Sequence, residues 1–162
     1  MGSLFIAEED GYIVEISFMD ADTRRKFSAA VTDSKLHTAA ADKGMISNSA
    51  VLDACIRELE AYFAGTLREF TVPIRLTGTD FRMKVWAELM LIPYGTTISY
   101  KDLALRIGQP SAMRAVGGAN HHNPVSIIVP CHRVVGASGT LTGYGGGLGN
   151  KAFLLELEAG QL

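Results

Sequence analysis

Hydrophobic and polar positions alternate at the start of the chain and turn helical after it. Leu4 and Ile6, then Ile13, Ile16 and Phe18, lie in apolar runs separated by Glu8-Glu9-Asp10-Gly11, which predicts two strands joined as a hairpin. Residues 33–48 are polar and Ala-rich without a clear period, and read as loop. From Ser49 the period becomes helical: Val51, Leu52, Cys55, Ile56, Leu59, Tyr62 and Phe63 recur on one face, and Gly65 supplies the stop. Phe70, Val72, Ile74 and Leu76 alternate with polar residues and predict a strand, with Pro73 favouring an edge. Thr77-Gly78-Thr79-Asp80 is then the natural boundary, where Thr79 or Asp80 can cap the next helix.

Beyond that boundary the pattern is mostly helical. Phe81, Val85, Trp86, Leu89 and Ile92 mark a helix ended by Pro93 and Gly95. Ser99 with Asp102 three residues on has the form of a capping box and opens a short helix to Ile107, closed by Gly108. After Gln109-Pro110, Ser111 can cap a second helix running to about Ala119. Helix, Gly-containing turn, helix is the spacing of a helix-turn-helix, although many enzymes hold such pairs without touching DNA. The second helix is nearly bare: Ala112, Ala115, Gly117, Gly118 and Ala119 leave only Met113, Arg114 and Val116 with bulk. Glycine pairs weaken a helix, so something must approach this backbone closely, either a neighbouring helix or a ligand. The expected architecture is therefore α+β or α/β in two lobes. Residues 1–77 form an N-terminal lobe with a small antiparallel sheet and a helix. Residues 78–162 form a helical C-terminal lobe carrying the helix-turn-helix.

The chemistry concentrates in that second lobe. Val125 to Val129 reads as a strand-like run that delivers Cys131 and His132 directly after Pro130. A free cysteine is ordinarily a small buried hydrophobe, and Cys55 on its apolar helix face reads that way. Cys131 is followed by an imidazole and by the Arg133 guanidinium, both able to depress a thiol pKa and to favour the nucleophilic thiolate. A base of this kind needs a third group to orient it, for which Asn123, Glu156 and Glu158 are candidates. A metal site is disfavoured, because no other cysteine is near and His121-His122 are adjacent rather than spaced as ligands. The Gly-rich stretch 136–149 suits close backbone contact with a ligand, but it lacks the Lys-Ser/Thr pattern of a phosphate loop. Asn150 can cap a last helix in which Phe153, Leu154 and Leu157 pack inward.

Composition adds one distinction. The 162 residues hold 15 Lys+Arg and 17 Asp+Glu, a formal net charge of −2 that by itself speaks against a nucleic-acid binder. The charge is unevenly spread, however. Residues 1–80 carry 8 basic and 13 acidic side chains, whereas 99–151 carry Lys101, Arg106, Arg114, Arg133 and Lys151 against Asp102 alone. The segment with the helix pair and Cys131 is thus the cationic one. Two cysteines make no disulfide framework, and no apolar run approaches membrane-spanning length, which together predict a cytoplasmic protein.

Ile128-Val129-Pro130-Cys131-His132-Arg133-Val134, preceded by Asn123-Pro124 and by Arg114-Ala115-Val116-Gly117-Gly118-Ala119, resembles the O6-alkylguanine-DNA alkyltransferases, also called methylated-DNA–protein-cysteine methyltransferases. Tyr94-Gly95-Thr96-Thr97-Ile98-Ser99-Tyr100 and Tyr144-Gly145-Gly146-Gly147 look like further segments of that family in the right order, so the resemblance covers roughly residues 47–162. It implies an irreversible, single-turnover transfer of an alkyl group from O6-alkylguanine in double-stranded DNA to Cys131, with O4-alkylthymine left open as a second substrate. By the same resemblance His132 acts as base through a water, Glu158 orients His132, Asn123 braces the active-site turn, and Tyr100 protonates a ring nitrogen of the leaving guanine. Arg114 fills the gap left by the extruded base, on a helix whose Ala112, Ala115, Gly117 and Gly118 enter the minor groove. Pro130, Val134, Tyr144, Gly145 and Gly146 border the base pocket. The resemblance implies no cofactor and no membrane, and a monomer, with cooperative binding along DNA left open. Some relatives hold zinc in the first lobe through cysteines, and with no such set of cysteines there no metal is expected. Two features depart from it. Gly145 stands where the family usually has serine, removing a side-chain contact to O6, and the family usually has about one strand more at the N-terminus, so a trimmed first lobe is expected. Two other readings compete: a lesion sensor that binds without transfer, against which Cys131 weighs, and a Cys-His-Glu hydrolase, which would turn over.

Overall fold

The structure is a computed structural model that describes residues 4–19, 37–40 and 49–161. The chain divides into two compact units, residues 1–76 and 77–162.

In the first unit, β1 (Leu4–Glu9) and β2 (Tyr12–Phe18) pair antiparallel, with Leu4 opposite Phe18 and Glu9 opposite Tyr12. Asp10 and Gly11 both take positive φ, 52° and 81°, which suits the right-handed strand twist and explains why an Asp-Gly pair stands there. The hairpin matches the sequence expectation. Residues 33–48 do not form loop throughout: His37–Ala40 form β3, which pairs antiparallel with β1 and gives the order β2-β1-β3. The rest of 33–48 lies outside the described residues. A four-residue strand is held by backbone pairing to a neighbour, which leaves no hydrophobic period to read. Burial of Leu4, Phe5, Ile6 and Ala7 in succession fits a central strand.

Helix α1 (Ala50–Phe63) starts at Ser49, whose hydroxyl accepts from Leu52 N at 3.3 Å, and buries Leu52, Cys55, Leu59 and Tyr62. The strand expected over 70–76 is reduced to a single bridge between Ile13 and Ile74. Pro73 has no N–H to give, and the Glu58 carboxylate takes Thr71 N at 2.9 Å and Val72 N at 3.2 Å. At 71–72 a side chain stands in for a strand partner, while Ile13 keeps two backbone bonds to Pro73 and Arg75.

The second unit opens with α2 (Asp80–Met90), capped by Thr79 and burying Val85, Trp86 and Leu89. Two short helices follow, α3 (Tyr100–Arg106) and α4 (Met113–His121). Ser99 and Asp102 form the full capping box on α3. Ser111 does not cap α4: its N-cap is Ala112, with no side-chain bond. The indole Nε1 of Trp86 donates to Ala119 O at 2.9 Å, fastening α2 to α4.

The run 125–129 is not a strand. Ile127 has φ of 75° and Ile128 N bonds back to Ser126 O at 3.0 Å, a tight γ-type turn that a β-branched residue adopts only under strain. It leads into a 3-10 turn, Cys131–Arg133. A two-rung parallel ladder then joins β4 (Ile98–Ser99) to β5 (Val134–Val135). The last helix, α5 (Leu148–Glu158), starts two residues before Asn150, at an N-cap Gly147 with φ of 86°. Asn150 instead donates from Nδ2 to Gly146 O at 2.8 Å.

Candidate active site

Cys131 sits at the head of the 3-10 turn and is 4% exposed. The turn is shaped largely by Asn123. Its Oδ1 accepts from Val125 N at 3.1 Å, while Nδ2 donates to Val129 O at 2.7 Å and to Cys131 Sγ at 3.2 Å. One amide therefore pins the strained 125–129 segment and supplies a hydrogen-bond donor to the sulfur.

His132 is fully buried and its Nε2 lies 2.9 Å from Glu158 Oε1. Glu158 also receives Arg133, whose Nε and Nη2 reach it at 2.9 and 2.8 Å, and Gly95 N at 3.1 Å. Of the acids on α5, Glu158 is buried and Glu156 exposed, so only the former meets the imidazole. With Nε2 facing a carboxylate, the proton belongs on Nε2 and the lone pair on Nδ1. Nδ1 is buried and has no hydrogen-bond partner among the described residues.

The electrostatics differ from the sequence expectation at the thiol. Burial pushes the Cys131 thiol up, and the Asn123 hydrogen bond and the Lys151 charge oppose that rise. Arg133 is turned onto Glu158 and Ile92 O, with its charge committed there rather than to the thiol. Its sequence position beside Cys131 is misleading, because successive residues of a tight turn point in different directions. Burial holds His132 below the usual histidine value, against the opposing pull of Glu158, so the resting imidazole is neutral and able to accept a proton. Burial also pushes the Glu158 carboxyl up, but the His132 and Arg133 hydrogen bonds and charges outweigh it and hold it well below the usual carboxylate range.

Tyr100, at the start of α3, is half-buried. Its hydroxyl donates toward Thr142 O at 3.0 Å and Gly143 O at 3.2 Å, and its ring comes within 3.9 Å of where a Cβ on Gly117 would stand. Burial raises its pKa, which keeps it a neutral phenol with a proton to give. Pro130, Val134 and Tyr144 are buried around Cys131's turn and the glycine loop, while Gly145 is exposed and Gly146 intermediate. On α4, Arg114, Ala115 and Gly118 form an open face, with Ala112 and Gly117 partly covered.

Sequence reasoning placed Arg133 at the thiol rather than on Glu158, and did not place Lys151 in this cluster at all. Lys151 is fully buried, donates to Val134 O at 2.6 Å and Thr142 O at 2.9 Å, and lies 5.8 Å from the Tyr100 ring centre. The available signal was helical spacing: Lys151, Leu154 and Glu158 fall on one face of α5, so a lysine inside an apolar stripe had to be partnered indoors. Among the described residues no group of three or more His, Cys, Asp or Glu side chains could hold a metal ion. No helix there is long and apolar enough to cross a membrane.

Two family profiles together match nearly the whole chain. The DNA binding domain of 6-O-methylguanine DNA methyltransferase matches residues 80–160, and the ribonuclease-like domain of the same enzyme matches residues 1–76. A methylated-DNA–protein-cysteine methyltransferase of Mycobacterium tuberculosis is 62% identical over 103 residues, which is 64% of this chain and 62% of that protein's length. The one from Mycobacterium leprae is 52% identical over 119 residues, 74% of this chain and 72% of its own. The crystal structure of M. tuberculosis OGT in complex with DNA superposes with a TM-score of 0.79 at 42% identity, covering 98% of this chain and 87% of that one.

Proposed function

The chain belongs to the 6-O-methylguanine DNA methyltransferase family, and on that premise we propose that it repairs O6-alkylguanine in double-stranded DNA by moving the alkyl group onto its own Cys131. The observation that carries this reading is the sulfur environment. Cys131 Sγ receives a hydrogen bond from Asn123, and the neighbouring buried imidazole is held by Glu158 with its Nδ1 left to accept a proton.

The reaction is an in-line displacement. The Cys131 thiol gives its proton, through a water, to His132 Nδ1, and the sulfur attacks the alkyl carbon. The bond from that carbon to O6 breaks, its electron pair passes into the purine, and Tyr100 protonates a ring nitrogen of the leaving guanine. A neutral imidazole and a neutral phenol are the forms these roles require, and both are favoured by burial. The thioether is stable and nothing on the chain reverses it, so each molecule acts once.

An alkyl group on O6 is out of reach within the stack, so the nucleotide must be flipped into the site. Helices α3 and α4 serve as the helix-turn-helix. The Ala112, Ala115, Gly117 and Gly118 backbone is slim enough for the minor groove, and Arg114 supports the vacated stack. Val134, Pro130, Tyr144, Gly145 and Gly146 border the base, and O4-alkylthymine is a candidate second substrate. The protein works as a soluble cytoplasmic monomer without cofactor.

The test is mass spectrometry of the protein after incubation with an O6-methylguanine oligonucleotide. One methyl on Cys131 per molecule, appearing as a burst without turnover, supports the proposal. Folded protein with an unmodified Cys131 sinks it, and continued turnover would favour a hydrolase instead.

A further inference from the structure

Asn120 is a buried residue for which the chemistry above has no use. It is 4% exposed, and neither Oδ1 nor Nδ2 has a hydrogen-bond partner among the described residues. A carboxamide left unpaired indoors is costly and ordinarily removed unless something else satisfies it. Its surroundings indicate what that is. Asn120 lies in the last turn of α4, and its backbone carbonyl accepts from Asn123 N at 3.3 Å, so the two asparagines stand one turn apart. Asn123 is the residue bonded to Cys131 Sγ. On the other side, His121 O would lie 3.3 Å from a Cβ built on Gly145, which runs the Asn120-His121 backbone along the Tyr144-Gly145 loop. Asn120 is thus bracketed by the acceptor cysteine and the loop assigned to the base, and that loop has no side chain of its own at 145.

We propose that Asn120 hydrogen-bonds the flipped base, its amide Nδ2 donating to the O6 from which the alkyl group departs. The inference rests on the alkyl-transfer reading above. As sulfur bonds to the alkyl carbon and the carbon–O6 bond breaks, the released electron pair places negative charge on O6 and the ring. A preorganised neutral donor in a dry site stabilises that charge more than it stabilises the intact ether, and therefore acts on rate rather than on binding. The same amide makes Asn120 a selector: a lesion whose leaving atom is a poor acceptor gains nothing from it.

The experiment uses the full chain with Asn120→Leu, and Asn120→Met in parallel so that a packing fault in one variant is recognised. Each is compared with the unaltered protein in single-turnover transfer from duplexes carrying O6-methylguanine or S6-methyl-6-thioguanine. The expected result is a thermal midpoint no lower than that of the original protein, with transfer from O6-methylguanine slowed on the order of 10²-fold. Transfer from the sulfur analogue should fall much less. Unchanged transfer from the oxygen lesion overturns the assignment. So do equal losses on both substrates, which would mark a structural role. A wild-type protein that transfers no methyl fails the parent reading instead, so the two failures are distinguishable.

Discussion

Arg133 grips both oxygens of Glu158: Nε reaches Oε2 at 2.9 Å and Nη2 reaches Oε1 at 2.8 Å, while Nη1 is tied to Ile92 O at 2.5 Å. The carboxylate that faces His132 is therefore held at both oxygens by a planar fork, with Gly95 N on Oε2 as well. A pair this buried need not make the protein more stable than an apolar pair would, but breaking it leaves a bare charge indoors. Arg133→Met should cost about 3–5 kcal/mol of unfolding free energy, with Arg133→Lys costing less. Urea titration at neutral pH measures both, and a loss below about 1 kcal/mol for the Met variant would show that the fork is dispensable.

Stability should also fall with acid from the ordinary histidine range downward. His132 is held below its usual value by burial, so the unfolded chain takes up a proton near pH 6.5 that the folded chain refuses. The neutral form's stabilisation is complete above that pH and is lost as pH falls toward the folded value, at up to about 1.4 kcal/mol per pH unit. Glu158, held well below its usual range, adds a loss of the same sign below about pH 4.3. Unfolding midpoints at pH 7.5, 6.5 and 5.5 check this. The wild type should decline across the series while a folded His132→Asn variant declines less, and parallel declines would remove His132 as the cause.

Arg114 is exposed on α4, so Arg114→Ala should leave the fold intact. If it supports the vacated stack, transfer from an O6-methylguanine duplex should slow roughly tenfold, equivalent to about 1.4 kcal/mol. Reaction with free O6-benzylguanine, which needs no flipping, should change little. Equal effects on duplex and free base would discard the flipping role.

Cys55 should stay silent throughout. Burial first, and Glu58 second, push its thiol up to about 12, and a thiol that remains protonated is a poor nucleophile. Alkylation by iodoacetamide at pH 8 should spare Cys55 in the folded protein and modify it after denaturation. Peptide mapping reads this out, and labelling of Cys55 under native conditions would contradict it.

Features set by local chemistry were readable in the chain. Asp10-Gly11 requires two positive φ values, Ser49, Thr79 and Ser99 carry side-chain caps, and the apolar face of α1 follows its period residue by residue. Apart from the caps expected at Ser111 and Asn150, what escaped was decided by partners distant in sequence. The 70–76 segment has a strand's alternation, yet Glu58 takes the N–H groups of Thr71 and Val72, and only Pro73 and Arg75 bond to the Ile13 backbone. β3 exists because β1 has an edge to offer. Arg133 looks like a neighbour of the thiol and is in fact committed to an acid 25 residues away. Lys151 and Asn120 sit in helices as unremarkable polar letters, and only burial reveals that each must answer to something indoors.

The two rungs between β4 and β5 act as a ruler. Ile98 is matched to Val134 and Ser99 to Val135, so the residue just before Tyr100 and the residues just after Cys131–Arg133 share one measured edge. A ladder cannot yield by small amounts: keeping the same side chains inward, its next setting is two residues away, about 6.6 Å along the strand. Tyr100 and Cys131 are thus indexed to each other in coarse steps, and on the proposed function any tightening around a substrate would fall to side chains and to the glycine loop.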